Sequence, residues 1–186
     1  MNSKSIQQIE NSVTKSNSLP LSVEELTTEW LQETMKPHIG DTVISGFEST
    51  VIGVGEGFMG QLARVKLRYN HETDAPLSII AKFASPLAET RQMAEDQKLY
   101  HREIGFYRDM ATSVGVPVPR CYFLYHREES NQFVLLLEDM APGVPSNQVE
   151  GTDRETSRWV IEETAKLHAR WWNSENSTAL SRMAAT

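Results

Sequence analysis

Apolar and polar positions change period several times along the chain, and each change marks an element. Residues 1–19 are rich in Ser, Asn and Gln and carry no apolar period, which predicts a mobile lead-in to a fold starting near Pro20. Ser22 and Glu25 stand at capping-box spacing, and Val23, Leu26, Trp30 and Leu31 then fall on one side of a short helix ending before Pro37. From about Asp41 the pattern becomes that of strands. Residues 43–54 read as one strand running into a glycine-rich loop, and Ala63, Val65, Leu67 and Tyr69 then alternate with Arg64, Lys66 and Arg68 in a second, half-buried strand. After a polar turn at 70–76, Leu77 to Phe83 reads as a third.

The period lengthens again beyond Ser85-Pro86, which supplies a cap and a first-turn proline. Tyr100, Ile104, Tyr107, Ala111 and Val114 recur at helical spacing, so the run to about Val114 is predicted as helix, stopped by Gly115 and Pro117. Two more strands follow, about Arg120 to Tyr125 and Gln132 to Leu137, separated by the charged turn 126–131. A proline- and glycine-marked linker covers 141–151. Thr152 and Glu155 repeat the capping spacing and open a last helix to about Trp172.

Composition narrows the classes. The 186 residues carry 18 Lys and Arg against 25 Asp and Glu, a net charge of −7, with no basic stripe, which argues against nucleic-acid or anionic-membrane partners. The single Cys121 sits in an apolar-aromatic stretch and permits neither an internal disulfide nor a thiolate metal cluster. The longest fully aliphatic run, Val134 to Leu137, is far below the ~20 residues of a membrane span, and residues 1–20 have no apolar h-region. These features predict a soluble, cytoplasmic chain.

Gly55-Glu56-Gly57-Phe58-Met59-Gly60 matches G-x-G-x-x-G, a weak signal by itself. A dinucleotide fold needs a helix after those glycines, and here a strand follows, which opposes a flavin or nicotinamide enzyme. A Walker loop needs Gly-Lys-Ser/Thr, and here Gly60 precedes Gln61-Leu62. What remains is a hairpin whose glycine tip lets backbone amides approach phosphates, or an ordinary flexible hairpin. Lys82 shares one face of the third strand with Ser78 and Ile80, and an ammonium on so apolar a strand needs a partner. Glu103 lies about 60° from Tyr100 and about 40° from Tyr107 around the helix axis, within the apolar stripe. Each charge accounts for the other, either as a phosphate-holding pair or as a structural ion pair. Glu138-Asp139-Met140 ends the fifth strand, either at a point where backbone groups could meet an adenine edge or simply as a strand end with two solvated acids.

These elements, in this order, resemble the aminoglycoside phosphotransferase/choline kinase-like superfamily, and most closely its ecdysteroid kinase-like branch. The resemblance rests on residues 26–31, 55–60, 76–83, 103–107, 136–140 and 167–172. It implies an α+β fold: a protein-kinase-like N-lobe of five antiparallel strands with one main helix, then the first helix of an incomplete C-lobe. The implied divisions are a mobile segment 1–19, an N-lobe with hinge 20–141, a linker 142–151 and the start of a C-lobe 152–186. By the same likeness ATP would be held by Gly55, Gly57 and Gly60 at its phosphates, by Lys82 oriented by Glu103, and by Ile80 and Glu138 to Met140 around adenine. Ile80 stands where protein kinases usually carry a smaller Ala, and is expected to narrow that pocket. His168, on a stripe with Ile161, Ala165 and Trp172, is expected to pack the last helix rather than act as a base.

The superfamily's phosphoryl transfer uses a catalytic-loop Asp, an Asn for magnesium and a second metal-binding Asp. No Asp follows Asp153 here, so no catalytic or metal-binding residue is assigned and the Mg2+ ligands expected of the full-length family are missing. The implied function is ATP-dependent phosphorylation of a small hydroxylated molecule, represented by its nucleotide-binding N-terminal part and inactive alone. The alternative is a non-catalytic remnant that binds nucleotide or a partner. Residues 152–172 carry an apolar face wider than the N-lobe needs, which predicts self-association or a complementing chain there.

Overall fold

A computed structural model of the chain describes residues 19–53, 59–127, 130–144 and 149–172. Its first helix, α1 (Thr28–Ile39), begins later than the Ser22 capping signal suggests. Ser22 makes no side-chain cap and precedes only a three-residue 3-10 turn, while Glu25 Oε2 accepts a hydrogen bond from the Leu21 amide. The cap is Thr27, whose Oγ1 accepts from the Trp30 amide at 3.1 Å and so satisfies one of the helix's orphan donors. Val23, Leu26, Trp30 and Leu31 are all buried, as their spacing suggests. The helix also continues through Pro37 instead of ending before it. Proline removes one amide from the ladder, and two contacts beyond it hold the last turn: Ile39 is buried, and His38 Nε2 bonds the Tyr122 carbonyl at 2.9 Å. A carbonyl only accepts, so Nε2 carries the proton.

Five strands follow the alternating segments: β1 (Ile44–Ile52), β2 (Gly60–Tyr69), β3 (Ser78–Ala84), β4 (Cys121–Arg127) and β5 (Gln132–Glu138). They form one open antiparallel sheet in the order β1-β2-β3-β5-β4. Burial alternates along β2 as the sequence predicts, with Ala63, Val65 and Leu67 inward. These residues, Ile79, Ala81 and Phe83 of β3, and Val134 and Leu136 of β5 make one face, which α1 covers with Trp30, Leu31 and Met35. Leu77 lies before β3 and is exposed. In β4 the extra residue of a bulge puts both Tyr122 and Phe123 against the α1 side.

The helix expected over 85–114 is divided into α2 (Ala88–Asp96), α3 (Leu99–Gly105) and a π-helical turn, Phe106–Met110. Ser85 is not a helix cap; its Oγ accepts from the Leu87 amide and closes a turn before α2. Lys98, with φ 54°, makes the break. The apolar stripe starts only at Tyr100, for in α2 Ala94 alone is buried, and the left-handed Lys98 re-aims the chain so that α3 rather than α2 lies on the sheet. Tyr100 then packs on Phe133 with ring centroids 4.8 Å apart, donates its hydroxyl to the Met59 carbonyl and accepts from the Ser85 amide. With Ile104, Leu124, Leu135 and Leu137 it forms the core of the second face.

The last helix, α4 (Arg154–Trp171), is capped by Asp153, whose carboxylate accepts from the Thr156 amide at 2.8 Å, rather than by Thr152. None of its residues is buried, and Trp159 and Ile161 are more than half exposed. His168, expected to pack, is exposed as well; the contacts α4 makes with the rest among the described residues include those of its last turn, where Trp171 Nε1 reaches the Val114 carbonyl at 3.4 Å and Arg170 lies over Gly115. Among the described residues no helix is long and apolar enough to cross a membrane. The lead-in before Leu19 and the tail after Trp172 lie outside the described residues.

The two candidate caps separate by mutation. Thr27→Ala should lower stability by about 1 kcal/mol, whereas Ser22→Ala should change it by less than about 0.5 kcal/mol, both read from urea midpoints at constant slope. Equal losses would contradict the assignment of Thr27.

Candidate functional site

Lys82 stands at the centre of the sheet, with Leu62 of β2 and Leu135 of β5 directly opposite in the ladders. Those neighbours offer its ammonium no acceptor. The acceptor comes from α3: Lys82 Nζ lies 2.6 Å from Glu103 Oε1 and 2.7 Å from Oε2, with the two side chains only 18% and 28% exposed. Removing water from either charge alone would be costly, and the bidentate contact offsets that cost for both. An ammonium has three donors, so one remains after both carboxylate oxygens are satisfied. One turn after Glu103, burial raises the Tyr107 hydroxyl to about 12, with the Glu103 and Cys121 charges adding to it, so this phenol stays neutral.

Ile80 is two residues from Lys82 on the same strand face, about 7 Å along β3. It lines a pocket of about 250 Å3 together with Leu137, Glu138, Met140, Ala141 and Arg64. The segment 138–140 is held in place by hydrogen bonds on both sides. The Glu138 amide donates to the Arg120 carbonyl at 2.8 Å, and Glu138 Oε2 accepts from the Arg120 amide at 3.0 Å. The Met140 carbonyl accepts from the Gly143 amide.

Asp139 plays a part that the sequence reading missed. Its carboxylate, 4% exposed, turns back onto the sheet: Oδ2 accepts from Arg64 Nε at 2.7 Å and Ser78 Oγ at 2.6 Å, and Oδ1 accepts from Arg64 Nη2 at 3.3 Å and from the Ala141 amide at 3.1 Å. Burial works to raise this carboxyl, and the bonds from Ser78, Arg64 and Ala141 overcome it, leaving Asp139 below the usual carboxylate range. The hinge is thereby pinned to β2 and β3. The one signal in the sequence was Ser78 on the Lys82 face; Arg64 joins it only through the register that sets Arg64 opposite Ile80.

At the other end of β3, a Cβ on Gly60 would meet the Phe83 carbonyl at 2.5 Å and the Lys82 stem at 3.6 Å. Only glycine admits that approach of the two strands beside the lysine. The strands β1 and β2 pair up to Ile52 and Leu62, as a hairpin requires. Its Gly55 and Gly57 lie outside the described residues. Gly60, Ile80 and Lys82 thus lie along one face of the sheet, with Glu103 reaching Lys82 from α3 and Met140 lining the pocket beside Ile80, whereas Glu138, opposite Ile79, turns its side chain to the α1 face and meets that pocket at the strand end. A second cavity, larger than this pocket at about 390 Å3, is elsewhere, beyond β4.

An open five-stranded antiparallel sheet, a helix carboxylate paired with a strand lysine, and a hinge after the fifth strand define a kinase-like N-lobe. Residues 54–171 match the family model described as the ecdysteroid kinase-like family, so this chain belongs to that family. The matched segment contains Lys82, Glu103 and the hinge, and leaves out α1 and β1. Set against the curated proteins, the chain has no match.

The Asp139 clamp has a pH signature. A carboxyl held below its unfolded value leaves the unfolded state binding more protons, so stability rises with pH across that window. The contribution is whole above about pH 4 and is lost as pH falls through the lower folded value. Asp139→Asn should lower Tm at pH 7 and flatten its fall below about pH 4. An acid limb parallel to that of the wild type would contradict the clamp.

Proposed function

We propose that this chain is the nucleotide-binding part of an ATP-dependent phosphotransferase whose acceptor is a hydroxyl group of a small molecule, acting in the cytoplasm. The observation that carries the reading is the Lys82–Glu103 contact on an apolar sheet face, beside the hinge pocket and next to Gly60. In this reading Lys82 offers its remaining donor to the α- and β-phosphate oxygens. Glu103 keeps the ammonium from swinging away, so orientation is set before the nucleotide arrives. Ile80 and Leu137 give apolar contact to the base, and the backbone at 138–140 gives it a polar edge. The side-chain carboxylates of Glu138 and Asp139 point to their own partners, Arg120 and Arg64, so recognition of the base falls to the main chain. ATP supplies the phosphoryl group. Among the described residues no three His, Cys, Asp or Glu side chains converge, so none of them is assigned to magnesium.

A second reading, a nucleotide- or partner-binding module without turnover, draws on the exposed face of α4. The phosphotransferase and a nucleotide-binding module both require nucleotide binding and part on chemistry, whereas a module that binds only a partner requires neither. Titration of a fluorescent ATP analogue should give saturable binding that Lys82→Ala weakens at least tenfold, as loss of a charge-assisted hydrogen bond implies. Identical curves for wild type and variant would overturn the assignment of Lys82. Phosphate transfer to a panel of small alcohols, lost in the same variant, would exclude the module; binding without transfer is the outcome expected of a nucleotide-binding part to which no catalytic residue is assigned.

A further inference from the structure

The larger cavity lies where the sheet ends. β4 is an outer strand; α1 covers one face of it and finishes near His38, and the π-helical turn approaches the other face with Tyr107 and Arg108. Between them opens a space of about 390 Å3, closed at its floor by Tyr122 and Phe123 and at its rim by Arg120. A volume at the lower end of the ligand-pocket range suits one small molecule.

Its lining has a charge pattern opposite to that of the chain. Two guanidinium groups and an imidazole line it and no carboxylate does, in a protein of net charge −7. Two acids lie near its lining in sequence or space: Asp109, whose Oδ2 is 3.3 Å from Arg108 Nε, and Glu138, which keeps its charge while Oε2 accepts from the Arg120 main-chain amide. The Arg120 guanidinium has no ion-pair partner among the described residues. The walls are aromatic and apolar, with the His38 and Tyr122 rings edge to face at 5.1 Å. A docking β-strand is a poor occupant, because the Tyr122 and Phe123 carbonyls of this outer strand already accept from His38 Nε2 and Cys121 Sγ. An apolar body would replace water on the aromatic walls, and one acidic group would meet the guanidinium at the rim.

We propose that this cavity binds a small amphipathic anion, a compact hydrocarbon body bearing a single acidic group, with Arg120 as the residue that selects the charge. The site is separate from the Lys82–Glu103 face and does not depend on nucleotide binding.

Amide chemical shifts of the full chain, titrated with octanoate, octyl phosphate and octan-1-ol, test this directly. Octanoate, octyl phosphate or both should shift amides within residues 107–124 saturably, the stronger one naming the acid class, with octan-1-ol at least tenfold weaker. Arg120→Ala, an exposed position whose melting temperature should match the wild type, should weaken the anions about tenfold and leave the alcohol unchanged. Shifts confined to α4, alcohol binding as tight as octanoate, or anion binding indifferent to Arg120→Ala would each overturn the proposal.

Discussion

An ammonium group on the apolar face of a central strand must bring an anion with it, and much of the second face of this fold follows from that requirement. Lys82 lies between two leucines in the ladders, so its counter-ion has to arrive from another element. Glu103 supplies it, which brings α3 onto the sheet at the level of Lys82 and sets the direction of the Tyr100, Ile104 and Tyr107 row. The left-handed break at Lys98 frees α3 from α2, whose own residues have little to bury. Gly60 completes the arrangement, since any side chain there would collide with β3 beside the lysine.

The sheet's two faces are covered unequally, and the candidate site lies where cover is missing. α1 seals one face with Trp30, Leu31 and Met35. On the other, α3 and the π-helical turn cover the β4 and β5 side, and the strip from Lys82 through Ile80 to the hinge stays open. An open strip next to a strand end would ordinarily let that end fray. Asp139 prevents this by tying the hinge to Arg64 and Ser78, two side chains on the strip itself. The groups that shape the pocket and the groups that hold its hinge are therefore neighbours on the same strands.

The sequence made the strands readable because alternation on a half-buried sheet is a local pattern, seen in Ala63, Val65 and Leu67 without knowledge of their neighbours. The Lys82–Glu103 contact was readable for a different reason: each charge interrupts an apolar face, and one interruption predicts the other. The Asp139 clamp was not, because Arg64 and Asp139 are 75 residues apart and meet only through strand register. The helix starts were misjudged where several cap residues competed. Ser22 and Thr152 have the spacing, but Thr27 and Asp153 are the ones whose oxygens face a free amide. Lys98 carries no glycine or proline signal, and only the packing of Tyr100 explains its conformation.

The central claim is that Lys82 and Glu103 are bound to each other in the free protein and support the fold as a pair. A double-mutant cycle with Lys82→Met and Glu103→Gln, measured as unfolding free energy without nucleotide, isolates that coupling. A favourable interaction of about 0.5–3 kcal/mol is expected for two side chains in direct contact. Additive effects, with a coupling of less than about 0.3 kcal/mol, would show that the two charges act independently and would contradict the account.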